Sequence, residues 1–152
     1  YLKSDGKMAK NEWVYDNNRK AWYFCDYNGK FFVDSWITYK GYEYYLAPNG
    51  MMVHDDWVDY YYYVKSDGKM ARDEWIYDKR NSAWYYLDYK GKFLSSVWKG
   101  DYYLKSDGKM AHDEWIFDIS YNAWYYLKKD GKYARNEWIG KYYFGKDGKW
   151  VK

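Results

Sequence analysis

The sequence predicts an all-β fold, a solenoid of stacked β-hairpin repeats in which long and short repeats alternate. Three observations predict it: a recurring turn glycine, a tryptophan a few residues after each glycine, and an aromatic pair in each intervening stretch. The glycines are Gly6, Gly29, Gly50, Gly68, Gly91, Gly108, Gly131 and Gly148, spaced 23, 21, 18, 23, 17, 23 and 17 residues apart. Most stand in Asp-Gly-Lys, which supplies the positive-φ position that ends a strand.

The elements follow in chain order as one array over residues 1–152. A partial repeat, 1–12, comes first, and repeats then start near 13, 36, 57, 75, 98, 115 and 138, each at a tryptophan. A Met or aromatic stands two residues past most glycines, as at Met8, Phe31, Met70, Phe93, Met110, Tyr133 and Trp150. Trp75-Ile76-Tyr77 and Ala83-Trp84-Tyr85-Tyr86-Leu87 are strand formers, and Asp78-Lys79-Arg80-Asn81-Ser82 between them is turn chemistry. Pro48 falls beside the Asn49-Gly50 turn. A helix is excluded because glycine interrupts every repeat and no apolar period of 3.6 appears. One two-stranded hairpin is marginal in water, whereas stacked hairpins bury rings between neighbours.

Composition agrees. Tyr (24) and Trp (11) dominate the apolar residues, aromatics reach 27%, and mean hydropathy is −0.97. Such rings pack through their faces while O–H or N–H reaches water. Aromatic abundance excludes intrinsic disorder. Cys25 is the only cysteine and stands where other repeats have Leu, so it reads as a small apolar strand residue with no disulfide framework or metal cluster. No apolar run approaches the ~20 residues of a membrane span. The net charge of +3 is interspersed, without the basic groove that single-stranded nucleic acid needs. The chain starts mid-repeat, as a piece of a longer protein would.

No catalytic constellation emerges. His54 and His112 lack metal-ligand spacing, the acids recur with the repeat, and Ser4, Ser66 and Ser106 sit in Lys-Ser-Asp-Gly turns. No phosphate-cradling glycine motif is present. The expectation is a binding module with no catalytic residue, no metal and no cofactor.

The long repeats carry a second tryptophan nine residues after the first: Trp13/Trp22, Trp75/Trp84 and Trp115/Trp124. Aligned on the aromatic pair, the short repeats have Glu43, Tyr61, Asp101 and Lys141 at the equivalent position. The run Ala123-Trp124-Tyr125-Tyr126-Leu127-Lys128-Lys129-Asp130-Gly131-Lys132-Tyr133-Ala134, with Tyr102 to Ala111, resembles the choline-binding repeats of streptococcal and phage surface proteins. The resemblance covers essentially the whole chain. It implies a left-handed superhelix of hairpins. It also implies choline held between successive hairpins by two tryptophans of one and a tyrosine of the next, often with a Met nearby. The sequence departs from the pattern twice: Glu replaces the usual Gly in Glu12-Trp13, Glu74-Trp75, Glu114-Trp115 and Glu137-Trp138, and the short repeats lack the second tryptophan.

By strand alternation the second tyrosine of each pair shares a face with the second-tryptophan position. The expected cages are therefore Trp13, Trp22 and Tyr45; Trp75, Trp84 and Tyr103; and Trp115, Trp124 and Tyr143. Phe31, Phe93 and Tyr133 are candidate floor residues, and Trp57, Tyr61 and Tyr86 a weaker pocket. The competing reading of any such ring is core filler between stacked repeats. The Glu before each Trp reads as a solvated strand residue, or else as negative potential beside the cation. The resemblance implies choline or phosphocholine of teichoic or lipoteichoic acid as partner, at a Gram-positive, extracellular cell wall. Nucleic acid and membrane insertion are not expected, and a homodimer is left open. Alternatives are a glucan-binding repeat module, or a purely structural or adhesive spacer.

Overall fold

The computed structural model describes residues 1–152 and contains only strands, bridges and turns. Seven antiparallel hairpins follow one another, so the fold is the all-β array of repeated hairpins that the sequence predicts. Three are long: β1 (Glu12–Asp16) with β2 (Ala21–Cys25), β7 (Glu74–Asp78) with β8 (Ala83–Leu87), and β11 (Glu114–Asp118) with β12 (Ala123–Leu127). Four are short: β3 (Ser35–Tyr39) with β4 (Tyr42–Leu46), β5 (Asp56–Val58) with β6 (Tyr62–Val64), β9 (Val97–Lys99) with β10 (Tyr102–Leu104), and β13 (Glu137–Ile139) with β14 (Tyr142–Phe144). The short strand β15 (Trp150–Val151) adds to β14. Each repeat-starting tryptophan is the second residue of its hairpin.

Two compact units divide the chain. Tyr1–Arg72 with Tyr89–Lys92 holds β1 to β6, and Asp73–Asp88 with Phe93–Lys152 holds β7 to β15.

Turn chemistry separates long from short hairpins. In the long ones an aspartate closes the first strand and its Oδ1 accepts two loop amides: Asn18 and Arg19 on Asp16, Arg80 and Asn81 on Asp78, Ser120 and Tyr121 on Asp118. A left-handed residue, Lys20, Ser82 or Asn122, then re-enters the second strand. The short hairpin β3–β4 turns on two residues, Lys40 and Gly41, both at positive φ, which matches the twist of its strands.

The last residue of every second strand is fully buried: Cys25, Leu46, Val64, Leu87, Leu104, Leu127 and Phe144. Ala9, Ala71, Ala111 and Ala134 join them. Mostly aliphatic residues thus form the fully buried strand ends, with Phe144 the one ring among them. One core cluster in the first unit packs Trp13, Tyr39 and Met52 around Phe24, Ile37, Tyr44 and Leu46.

The residue two past each turn glycine bridges back to the buried strand end, as Leu46 to Met52 and Leu104 to Met110. Its amide then reaches the preceding hairpin at the second-tryptophan position. Met52 N–H donates to the Trp22 carbonyl and Met110 N–H to that of Trp84, each at 2.8 Å. Tyr133 N–H donates to Asp101 at 3.0 Å. This bond ties β3–β4 to β1–β2, β9–β10 to β7–β8 and β11–β12 to β9–β10.

Gly108 shows why that turn residue is glycine. Its φ is +82°, and a Cβ there would lie 2.5 Å from Cδ2 of the Phe93 ring. Gly41 has the same φ of +82° but open space around it. Gly108→Ala is expected to cost more than the ~1–3 kcal/mol of backbone strain that Gly41→Ala alone incurs. Urea midpoints of the two variants measure the difference.

Candidate cation-binding cages

The hairpin register puts both tryptophans of a long repeat on one face. In β7–β8, Trp75 pairs with Tyr86 and Tyr77 with Trp84, so Trp75, Tyr77, Trp84 and Tyr86 project together. The other face carries Ile76, Tyr85 and Leu87, and Tyr85 and Leu87 are both buried. The same register recurs in β1–β2 and β11–β12.

Each long-repeat tryptophan pair lines a cavity with the next hairpin. Trp115, Trp124, Tyr142 and Trp150 line an open cavity of about 280 Å³. Their rings meet nearly at right angles: 79° between Trp115 and Trp124, 86° between Trp115 and Tyr142, and 81° between Tyr142 and Trp150. Trp75, Trp84, Tyr102 and Met110 line a cavity of about 380 Å³, with Asp130 at its edge. Trp13, Trp22, Tyr44 and Met52 line one of about 540 Å³, whose further residues include Tyr15, His54 and Asp67.

The six tryptophans named from the sequence each line one of these cavities. The tyrosine at each cavity is the first of its pair, Tyr44, Tyr102 or Tyr142. Tyr45, Tyr103 and Tyr143 stand on the opposite face of their strands. There they pack on the tryptophan of their own hairpin, Trp36, Trp98 and Trp138, at 5.3, 5.0 and 5.2 Å between centroids. Within each unit the first tryptophan of a long hairpin meets the first tyrosine of the next hairpin, as Trp13 with Tyr44, Trp75 with Tyr102 and Trp115 with Tyr142. Tyr45 also donates its O–H to Asp34 at 2.6 Å, and that bond pushes its pKa up to about 12. Burial raises the pKa of Tyr44 and of Tyr103.

The floor residues differ for a related reason. Phe31 packs on Tyr23 and Phe93 on Tyr85, within their own repeats. The Met-equivalent that reaches a cage comes one repeat later, carried there by its amide bond to the second tryptophan, hence Met52 and Met110. Trp150 holds the corresponding place in the last cage. Met52 was legible in principle, standing two residues after Gly50 as Met110 does after Gly108. Tyr133 lines a different cavity, with Trp98 and Tyr125.

Trp57 packs on Tyr63 of its own hairpin at 5.2 Å. Tyr61 stacks edge-on with Tyr60 and lies under the Lys92 ammonium at 5.3 Å. Tyr86 packs on Trp75 and carries the Lys99 ammonium at 4.2 Å.

Three cage supports escaped sequence reasoning. Tyr15, Tyr77 and Phe117 stack on Trp22, Trp84 and Trp124 at 5.0, 5.2 and 5.2 Å, directly across the hairpin. The signal was an aromatic two residues after the first tryptophan, where short repeats have Thr38, Asp59, Gly100 or Gly140. The glutamate before the tryptophan forms ion pairs rather than standing free: Lys3 with Glu12 at 3.0 Å, Lys105 with Glu114 at 3.1 Å, and Lys128 with Glu137 at 3.0 Å. The lysine hydrogen bond holds the Glu12 and Glu137 carboxyls below the usual carboxylate range. A neutralised carboxylate contributes little potential to a neighbouring cavity.

Such cages suit a cation without N–H donors. Trimethylammonium offers a carboxylate no directional hydrogen bond, whereas ring faces attract its charge and cover its methyls.

Comparison with known proteins agrees with this geometry. A model described as a choline-binding repeat matches residues 32–69, 92–123 and 119–150, and a cell wall binding repeat model matches 73–93. The choline-binding domain of CbpL from Streptococcus pneumoniae is 42% identical over 99% of this chain and 80% of its own, with a TM-score of 0.91. The modular autolysin LytC of the same organism is 38% identical, over 99% of this chain and 36% of its own, with a TM-score of 0.86. A Streptococcus pneumoniae protein named "Putative endo-beta-N-acetylglucosaminidase" is 40% identical over 98 residues, 64% of this chain. That match spans only 15% of the relative's length. The repeats, their hairpins and their aromatic cages together place the chain in the choline-binding repeat family.

Proposed function

We propose that the chain is a non-catalytic binding module that takes choline, carried as phosphocholine on teichoic or lipoteichoic acid, and thereby holds a larger protein at a Gram-positive cell wall. The observation that carries this reading is the cavity lined by the rings of Trp115, Trp124, Tyr142 and Trp150, where the Lys141 and Lys152 ammoniums already lie 5.5 and 6.0 Å from the Tyr142 and Trp150 centroids. A sugar would ask for a flat platform with hydrogen-bonding partners; near-perpendicular rings fit a compact apolar cation. Two further tryptophan-pair cavities, at Trp75/Trp84 with Asp130 and at Trp13/Trp22 with Lys20, His54 and Asp67, bring the number of proposed sites to three.

One cation–π contact contributes roughly 0.5–2 kcal/mol. Three rings therefore give about millimolar affinity for free choline. Several cages on a polymer bearing many cholines gain avidity without any new contact. Titration with choline, followed by tryptophan fluorescence, is expected to saturate at roughly millimolar concentration. Titration with dextran is expected to leave the signal flat. A response to dextran and none to choline would transfer the assignment to glucan binding.

A further inference from the structure

The second tryptophan of each long hairpin has a fixed aromatic partner across the strands, and the two come and go together along the chain. Tyr15, Tyr77 and Phe117 lie directly opposite Trp22, Trp84 and Trp124 in the register. Their ring centroids stand 5.0, 5.2 and 5.2 Å apart, and the planes meet at 54°, 55° and 53°. No short hairpin has a ring two residues after its first tryptophan, and none has the second tryptophan. Thr38, Asp59, Gly100 and Gly140 stand at the first of these places.

The hairpin itself does not need the pair. In β3–β4, whose strands are also five residues long, Thr38 faces Glu43 in the same register. Tyr15, Tyr77 and Phe117 are 39, 44 and 40% exposed, so they add little to the buried strand ends. What each ring touches is the cage wall. A half-exposed indole has several staggered rotamers open to it, whereas a cation–π wall acts only while its face borders the ligand. A ring directly across the strands, tilted against the indole, favours one of those rotamers before any ligand arrives. Such preorganisation raises affinity by removing an ordering cost from the binding step. Because Tyr and Phe hold the same geometry, the ring supplies the effect and the hydroxyl does not. Tyr15 also lines the first cavity. Tyr77 and Phe117 are not among the residues that line theirs, so they act through the tryptophan alone.

We infer that Tyr77 and Phe117 are positioning residues of the Trp75/Trp84 and Trp115/Trp124 cages, each setting choline affinity by holding the second tryptophan in place on the cavity wall. The inference rests on the choline reading of those cages.

Indole N–H resonances of ¹⁵N-labelled protein, followed during a choline titration, test it, with Trp75 and Trp115 each reporting its own cage. Tyr77→Thr introduces the residue that β3–β4 already carries at Thr38. It should raise the choline midpoint at Trp75 several-fold and leave that at Trp115 unmoved. Phe117→Thr should do the reverse. Tyr77→Phe should keep the parent midpoint at both. Parent midpoints in both threonine variants would overturn the positioning role while the choline reading stands. Equal shifts at both tryptophans would overturn it too, because general loss of folding is not confined to one cage. So would a Tyr77→Phe midpoint as high as that of Tyr77→Thr. Silence of Trp75 and Trp115 in the parent would overturn the choline reading, and the positioning role with it.

Discussion

Trp22, Trp84 and Trp124 replaced together by alanine are expected to abolish retention on a tertiary-amine resin that mimics choline, while the hairpins stay folded. Each of these side chains is about two-fifths exposed, at 43, 43 and 42%, so its removal leaves little void. The short hairpins form with Glu43, Tyr61, Asp101 and Lys141 at the same place, which shows that the strand does not need a tryptophan there. Loss of one cation–π wall removes roughly 0.5–2 kcal/mol per cage, about 2- to 30-fold in single-site affinity. Because polymer-bound ligand engages the sites jointly, the losses compound, and avidity worth about 10²–10⁴-fold disappears. Column retention with choline elution, beside the far-ultraviolet spectrum, measures both halves. A triple variant still held by the resin would show that the cages are not the binding sites.

Leu104→Ala carries the other large effect, on stability. Leu104 is fully buried at the end of β10 and bridges to Met110, whose amide in turn holds Trp84. Truncating a buried leucine costs about 2–5 kcal/mol, a large share of the roughly 5–15 kcal/mol that keeps a domain folded. Stacked repeats depend on neighbour contacts, so the damage is expected to spread to the Trp75/Trp84 cage that Met110 helps to line. Tyr27→Ala, at 73% exposure, is the control and should stay within about 0.5 kcal/mol of the parent. A denaturant midpoint equal for the two variants would contradict the structural role of this buried strand end.

Much of this was legible in local pattern. Hairpin starts could be placed because tryptophan, aromatic pair and Asp-Gly turn recur in register, and each is a residue type with a local reason to be there. The turn aspartates Asp16, Asp78 and Asp118 explain the longer loops, since a short acceptor side chain caps two amides of its own loop. The left-handed Asn11, Asp34, Asp73, Asp113 and Asn136, one residue before each strand, went unread although Asn and Asp are the side chains that tolerate that conformation.

The sequence by itself determined the alternation of repeats and the tryptophan pair on one face of each long hairpin. Both follow from the two-residue period of a strand and from turn chemistry. Which tyrosine and which Met-equivalent complete a cage was decided only by the tertiary structure. Strand alternation puts Tyr102 and Tyr103 on opposite faces, but it does not say which face the neighbour presents. The packing of Trp75 against Tyr102 selects the first tyrosine, and the Met110 amide bonded to the Trp84 carbonyl brings its side chain in from one repeat further on. Residues far apart in the chain meet there, and no local preference encodes how two hairpins face each other.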